Sequence, residues 1–188
     1  GDDIFSYTMR DSLGNTSSAN VLMKIYDIHD TDIEYPTPFR TFNIVSTADF
    51  NTKYASAQAG DHFIIAAGVT INVNTLNKSG TSVKPIVIRS TRLGTVAWGT
   101  NLTITGNYTQ LWGITFNNFT ITCSGNYVKF RRIYMLNLVS TALGMYFTGT
   151  NWKLEYCTLN NIKGRGIFIE KQAVNGSIYK CMLQNFNN

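Results

Sequence analysis

The sequence predicts an all-β fold, a parallel β-helix wound as a single-stranded solenoid, and three observations carry that prediction. The first is a repeat. The segments Gln110–Phe119, Lys129–Leu138, Lys153–Ile162 and Ser177–Phe186 align, and four apolar columns run through them: Leu111/Phe130/Leu154/Ile178, Ile114/Ile133/Cys157/Cys181, Phe116/Met135/Leu159/Leu183 and Phe119/Leu138/Ile162/Phe186. A step near twenty residues marks a coil that cannot bury its apolar face alone and must stack on its neighbours. The second is the spacing of those columns at i, i+3, i+5 and i+8. The i+3 to i+5 pair is strand-like, and a helix would want i, i+4, i+7. The third is a column of pure asparagine, Asn118, Asn137, Asn161 and Asn185, at steps of 19, 24 and 24 residues. Stacked strands lie about 4.8 Å apart, so these side chains are expected to point inward as a ladder that bonds above and below. On that reading Asn161→Leu costs a few kcal/mol, because buried amides lose partners. A β-sandwich with chance periodicity is the alternative, and the asparagine column counts against it.

Composition sets the bounds. The chain has 188 residues, 44% hydrophobic and 14% charged, which excludes a disordered polymer. Its net charge of +5 leans weakly toward an acidic partner. No dense Lys/Arg stripe points to nucleic acid, and no run of about 20 apolar residues could span a membrane as a helix. The opening Gly1-Asp2-Asp3 has no signal-peptide pattern and reads as the middle of a longer protein. Three cysteines make no disulfide framework. Cys157 and Cys181 share one inward column, as stacked core thiols or as a bridge. His29 and His62 stand far from them in the pattern, so no metal site is read.

In chain order, Ile4–Met9 and Ala19–Ile25 are strand-like around a turn at Asp11-Ser12-Leu13-Gly14-Asn15, a hairpin over residues 1–27. Asp27, Asp30, Asp32 and Glu34, then Pro36-Thr37-Pro38, read as a linker over 28–42. The β-helix is expected over 43–188, continuing past its last residue. Thr47 is a good N-cap for a helix over Ala48–Ala57. That helix is placed to cover the open end of the solenoid, where bare strand edges would otherwise aggregate. Strands are expected at 62–66, 69–73, 86–89, 96–98 and 102–104. Gly144–Thr148 and Gly166–Glu170 match each other as a second strand per coil.

Two resemblances follow from these residues. Phe5, Tyr7, Asp11, Gly14, Ser17, Ala19 and Val21 fall on the closing pattern F-x-Y-x-x-x-D-x-x-G-x-x-S-x-A-x-V, so the hairpin resembles the end of the immunoglobulin-like or cadherin-like repeats of bacterial surface proteins. Those repeats are extracellular spacers. Asp2, Asp3 and Asp11 are then either calcium ligands or plain turn and cap carboxylates. Further on, Gly60-Asp61, Ile64, Gly68, Gly80-Thr81, Pro85-Ile86, Ile88, Gly113-Ile114 and Phe116 fall on P-G-D-x-I-x-L-x-x-G-x-Y, G-T-x-x-x-P-I-x-I-x-A and G-L-x-F. Over residues 45–188 the chain therefore resembles the chondroitinase-B and alginate-lyase family, whose fold is a right-handed parallel β-helix with an N-terminal capping helix.

That resemblance implies cleavage of acidic polysaccharides by β-elimination. The uronate carboxylate is neutralised, often by calcium, and a lysine removes the adjacent proton. The family motif E-x-E-x-I-x-x-K-S finds its nearest match at Gly164–Gln172. Lys171 stands at the offset of the base with Arg165 nearby, and Gly164 and Gly166 replace the two carboxylates. Read from the residues alone, Lys171 is a solvated outward lysine. No cofactor is evident in the chain, and calcium belongs to the implied full-length enzyme.

The outward columns Trp112/Arg131/Glu155/Tyr179 and Gly113/Arg132/Tyr156/Lys180, with Tyr134, are the candidate substrate contacts. Rings suit sugar faces and cations suit carboxylates. The plainer reading is a solvated face with an Arg131–Glu155 pair worth under about 1 kcal/mol. Two functions remain: a secreted or surface lyase whose catalytic coils lie downstream, or a phage tailspike or bacterial adhesin with the β-helix as its shaft.

Overall fold

The computed structural model describes residues 2–10, 14–24, 35–139 and 143–187. The chain divides into two compact units, residues 1–34 and 35–188. In the first, β1 (Asp2–Arg10) and β2 (Thr16–Lys24) pair antiparallel, with Phe5 opposite Val21 and Tyr7 opposite Ala19. This is the hairpin that the alternation predicts. The start of its turn at 11–13, the acidic linker residues 27–34 and the calcium reading of Asp2, Asp3 and Asp11 lie outside the described residues or side chains.

The second unit begins with β3 (Arg40–Ile44), which takes in the end of the expected linker, and α1 (Thr47–Ala55). Coils follow. The first is β4 (Asp61–Ile65), β5 (Thr70–Ile71) and β6 (Thr75–Leu76); the second is β7 (Ile86–Ser90), β8 (Val96–Trp98) and β9 (Leu102–Ile104). The third is β10 (Thr109–Trp112), β11 (Ile114–Asn117) and β12 (Ile121–Cys123); the fourth is β13 (Lys129–Arg131), β14 (Tyr134–Leu138) and β15 (Met145–Phe147). The fifth is β16 (Lys153–Glu155), β17 (Thr158–Lys163) and β18 (Ile167–Ile169), and β19 (Ser177–Tyr179) with β20 (Met182–Asn187) forms part of a sixth. Each coil thus has three strands, and the match of 144–148 to 166–170 is its third, with Met145 beside Ile167. Like strands pair in parallel into three sheets: β3 to β19 in the first, β5 to β20 in the second and β6 to β18 in the third. The fold is a right-handed parallel β-helix.

The predicted columns run through the core as far as the fifth coil, whereas their sixth-coil members Ile178, Leu183 and Phe186 are exposed. Leu111, Phe130 and Leu154 stack in register and are fully buried, as are Phe116, Met135 and Leu159. Helix α1 closes the first end. Its N-cap is Ser46, one residue before the expected Thr47: the Ser46 hydroxyl accepts from the Asp49 amide at 3.1 Å. Thr47 instead holds the second sheet, accepting from the Asn72 amide and donating to the Thr70 carbonyl. Phe50 is fully buried against Phe63, 5.6 Å between ring centres, and edge-on to Trp98 at 6.0 Å. Tyr54 anchors the last turn by accepting from the Lys78 amide at 3.0 Å.

Corners make the coil. From the third coil on, one residue at each of three corners holds a left-handed backbone. The columns are Tyr108/Tyr127/Asn151/Asn175, Gly113/Arg132/Tyr156/Lys180 and Asn118/Asn137/Asn161/Asn185. The asparagine column, expected inside, is therefore outside: all four are exposed at φ of 53 to 64°. Asparagine fits there because its short polar side chain tolerates that conformation. Some amides do touch along the column, Asn161 Nδ2 donating to Asn137 Oδ1 at 2.9 Å, but others reach the adjacent residue, as Asn185 Nδ2 to Asn160 Oδ1 at 2.8 Å. A more sheltered ladder lies at another corner. There the Asn107 amide donates to Ser79 Oγ at 3.0 Å, the Asn126 amide to Asn107 Oδ1 at 2.8 Å and the Thr150 amide to Asn126 Oδ1 at 2.8 Å. Gly106, Gly125 and Gly149 precede these residues, and a Cβ on any of them would lie about 2 Å from the carbonyl of the coil before.

Three outcomes test this account. Phe50→Ala lowers unfolding free energy by about 3–5 kcal/mol in urea titration, since a fully buried ring leaves a cavity under the helix. Asn161→Val costs about 1–2 kcal/mol from left-handed strain, whereas Asn161→Gly stays within about 0.5 kcal/mol. An inward amide ladder would make both changes severe. His62, 3% exposed, has its imidazolium disfavoured by burial and by the Arg89 charge, against a smaller opposing pull from Asp61. Its folded pKa lies below the ordinary value. Its stabilising contribution is complete above that ordinary value, about 6.5, and is lost as pH falls through the depressed one. His62→Gln flattens the fall of melting temperature between neutral and mildly acid pH.

Candidate functional site

Period-two alternation sends every second residue of the first sheet outward. Register then lines up Arg89, Trp112, Arg131, Glu155 and Tyr179 in one outer column, one residue per coil. Lys129 and Lys153 stand in the neighbouring outer column. The single-residue corner that follows adds Gly113, Arg132, Tyr156 and Lys180. Glycine suits position 113: its φ is 69°, and a Cβ would sit 2.5 Å from Leu93 Cδ2 and 2.6 Å from Ser90 Oγ. On the later coils the turn is clear of that loop and carries Arg, Tyr and Lys, residues for which a left-handed backbone is costly.

These two columns form one cationic-aromatic strip. Three cations surround the Tyr156 ring: Arg131 at 5.3 Å, Lys180 at 5.7 Å and Arg132 at 5.8 Å from its centre. Tyr179 meets Tyr156 edge to face at 5.6 Å. Lys180 also lies 5.2 Å from the Tyr179 ring, and its hydrogen bond with the Tyr179 side chain holds its pKa above the ordinary lysine value. Glu155 is engaged: Lys129 contacts it at 2.9 Å, closer than Arg131 at 3.8 Å. The pair read from the sequence as Arg131–Glu155 is thus mainly Lys129–Glu155.

The predicted contacts divide. Arg131, Arg132, Tyr156 and Tyr179 come together, with Tyr179 51% exposed. Tyr134 lies on the outer face of the second sheet, near the turn at Gly94. Trp112 faces outward but is only 3% exposed. The ring of Tyr35 packs against it, centres 4.4 Å apart and planes tilted by 31°. Lys129 and Lys180 complete the strip. Lys180 is visible in the corner column, and Lys129 follows from its place two residues before Arg131.

Arg165 and Lys171 lie elsewhere. Both are exposed and flank β18 on the third sheet. Arg165 covers the Phe168 ring at 5.1 Å, and Tyr146 packs on Phe168 at 5.6 Å. The Tyr146 hydroxyl donates to Glu170 Oε1 at 2.7 Å, which raises the Tyr146 pKa. Cys157 and Cys181 are free thiols, and the Cys157 amide donates to Cys181 Sγ at 3.4 Å. Among the described residues no three His, Cys, Asp or Glu side chains cluster as metal ligands.

Comparison with known proteins places this architecture. Among solved structures the fold is similar to a PL6-family polysaccharide lyase from Pseudopedobacter saltans, at 17% identity and a TM-score of 0.67, over 78% of this chain and 38% of that one. It is similar to pectate lyase Pel9A at 13% identity and a TM-score of 0.62, over 77% of this chain and 47% of that one. An alginate lyase from Paenibacillus sp. str. FPU-7 gives 17% identity and a TM-score of 0.52, over 78% and 65%. The chain thus spans less than two thirds of each of these proteins. No curated protein matches it. The chondroitinase B family model matches residues 44–142, from the strand before the capping helix through the fourth-coil arginines. With more than half of its 188 residues on that pattern, on a right-handed parallel β-helix with a capping helix at its first end, the chain belongs to the chondroitinase B family.

Proposed function

We propose that this chain is the capped front of an extracellular polysaccharide lyase, and that it holds an acidic polysaccharide along the corner between the first and second sheets. One observation carries the reading: Arg131, Arg132 and Lys180 converge on the Tyr156 ring while Glu155 is held by Lys129. A uronate unit offers a carboxylate beside a flat, partly apolar ring. Guanidinium groups pair with the carboxylate through charge-assisted hydrogen bonds, and the tyrosines stack on the sugar. Lys180, kept protonated through Tyr179, suits carboxylate neutralisation and not proton abstraction. The strip therefore binds and orients.

The family chemistry adds a base and a donor to the leaving oxygen. Within this chain Lys171 and Arg165 are the residues the family motif would cast in those roles, on the third sheet and away from the strip. Calcium does not fit that coil: Gly164 and Gly166 offer no side-chain oxygens, and Glu170 already accepts from Tyr146. The resemblance of the hairpin residues to the end of an immunoglobulin-like repeat supports an extracellular spacer.

The test is affinity electrophoresis in gels containing alginate, pectate or dermatan sulfate. The double variant R132A/K180A is expected to bind at least about tenfold more weakly, a loss of about 1.4 kcal/mol. The difference shrinks as salt is added. Equal retardation of variant and wild type would remove the strip as the binding face. Ultraviolet absorption by unsaturated uronate ends, measured on the same polymers with wild type and Lys171→Ala, reads cleavage separately. Cleavage that survives Lys171→Ala excludes that lysine as the base.

A further inference from the structure

Two thiols follow directly on the strip corner. The inward column there runs Ile114, Ile133, Cys157 and Cys181, so its last two places are cysteines, one residue after Tyr156 and Lys180. Hydrogen bonds on both sides fix their register. The Tyr156 amide donates to the Tyr179 carbonyl at 2.9 Å, and the Met182 amide donates to the Cys157 carbonyl at 2.8 Å. The side chains repeat each other. Cys157 Sγ lies 3.4 Å from the Glu155 carbonyl oxygen, and Cys181 Sγ lies 3.5 Å from the Tyr179 carbonyl oxygen, the equivalent group one coil on. The Cys157 amide donates to Cys181 Sγ at 3.4 Å, which brings the two sulfurs within reach of one another. Both are free thiols.

Their surroundings differ in a way that orders a reaction. Cys157 is 1% exposed, whereas Cys181 is only half-buried. The hydrogen bond from the Cys157 thiol, joined by the one from its amide, holds Cys181 below the ordinary thiol value against the opposing effect of burial. The same thiol contact, with burial, raises Cys157. The thiolate is the attacking form, and access decides which thiol meets a reagent first. Cys181 has both advantages. Stacked strands stand about 4.8 Å apart, inside the Cα separation of about 4.4–6.8 Å that a disulfide spans. Cys123, on β12 of the third sheet, has neither: it is fully buried, and burial pushes its thiol up to about 12.

We propose that Cys157 and Cys181 are a disulfide-forming pair that reacts with a low-molecular-weight disulfide and staples the sixth coil to the fifth. The Cys181 thiolate attacks one sulfur of the reagent, which forms a mixed disulfide and releases one reagent thiolate. The Cys157 thiolate then attacks Cys181 Sγ, which closes the Cys157–Cys181 bond and releases the second. The protons of the two protein thiols pass through solvent to the two departing reagent thiolates. The protein pair is oxidised, the reagent is reduced to two thiols, and no other reactant is needed. The inference stands apart from the acidic-polysaccharide reading of the strip. Its consequence is local. The sixth coil, with Ile178, Leu183 and Phe186 exposed, gains a covalent tie to a residue 24 positions earlier in the chain, which restrains its opening.

The experiment treats the chain with oxidised glutathione, blocks the remaining thiols with a maleimide in denaturant, and maps the peptides by mass spectrometry. Wild type is expected to lose two of its three thiols, with one peptide pair joined through Cys157 and Cys181 and with Cys123 labelled. Cys157→Ser is expected to stop at a glutathione adduct on Cys181, and Cys181→Ser to form no adduct on Cys157. Amide hydrogen exchange over residues 177–186 is expected to slow about tenfold or more in the oxidised wild type and to recover with dithiothreitol. Wild type that keeps all three thiols, carries an adduct on Cys181 without closing the bond, or bridges between molecules overturns the pair. An adduct on Cys157 in Cys181→Ser overturns the order of attack. Exchange unchanged by a formed bond overturns the staple. The wild-type map decides without the variants, so misfolding of a variant changes nothing.

Discussion

The β-helix depends on single residues that turn the chain through each corner in a left-handed conformation. From the third coil onward the twelve corner residues hold φ between 48° and 69°. The corner between the first and second sheets leaves no slack, since Gly113 alone separates β10 from β11, so the strands on either side must keep register with the coil before. That register keeps Leu111 over Phe130 over Leu154, and the core is continuous because of it. Longer coils do not disturb it. The step rises from 19 to 24 residues, yet all three corner columns move together, because the extra five residues all fall in sequence between the asparagine column and the corner that follows it. Loops accept such additions because they lie at the surface.

The same constraint decides what each corner shows to solvent. At the asparagine corner the backbone takes the residue that suits it, and the side chains do little beyond local hydrogen bonds. At the corner between the first and second sheets, Arg132, Tyr156 and Lys180 adopt the conformation without that excuse. Strained backbone maintained by its surroundings is a pointer to function, and here the strained residues are the cationic and aromatic ones. At the remaining corner Tyr108 and Tyr127 stack at 4.6 Å with rings nearly parallel, and the buried glycine two residues before each lets the carbonyl of the coil before approach.

Much of this is legible in the sequence, for physical reasons. Columns separated by a fixed step show stacking, and i+3 to i+5 spacing shows strands, because a parallel register repeats residue on residue. The capping helix is visible from its N-cap chemistry, although Ser46 and Thr47 are equally good caps by type and only the fold chooses between them. The asparagine column reveals the repeat and misleads about its direction. Asparagine is favoured both where an amide is buried and where φ is positive, and a string of letters does not separate the two. The sheltered ladder had a signal of its own, Thr105-Gly106-Asn107-Tyr108 and Ser124-Gly125-Asn126-Tyr127 at the same step of 19. Cover is the part that no periodicity contains. Trp112 faces outward by alternation, and Tyr35, far away in sequence, hides it together with Arg131 and Lys129 of the next coil.

Geometry also favours a polymer over a single sugar as the partner. Successive coils stand about 4.8 Å apart, so Arg132 and Lys180, two coils apart in one column, are separated by about 10 Å. That is about one Debye length at moderate salt, close enough for their fields to overlap along the solenoid axis. A monosaccharide meets one of these positions with one carboxylate and pays the whole entropic cost of association there. On the proposed reading, a chain of uronates running along the corner would meet Arg131 and Arg132, then Tyr156, then Lys180, and each later contact would form within an already tethered ligand. Weak, partly exposed ion pairs, each worth little alone, then sum along a rigid line. The stacking that builds the core column by column inside the solenoid repeats the cationic and aromatic groups column by column outside it.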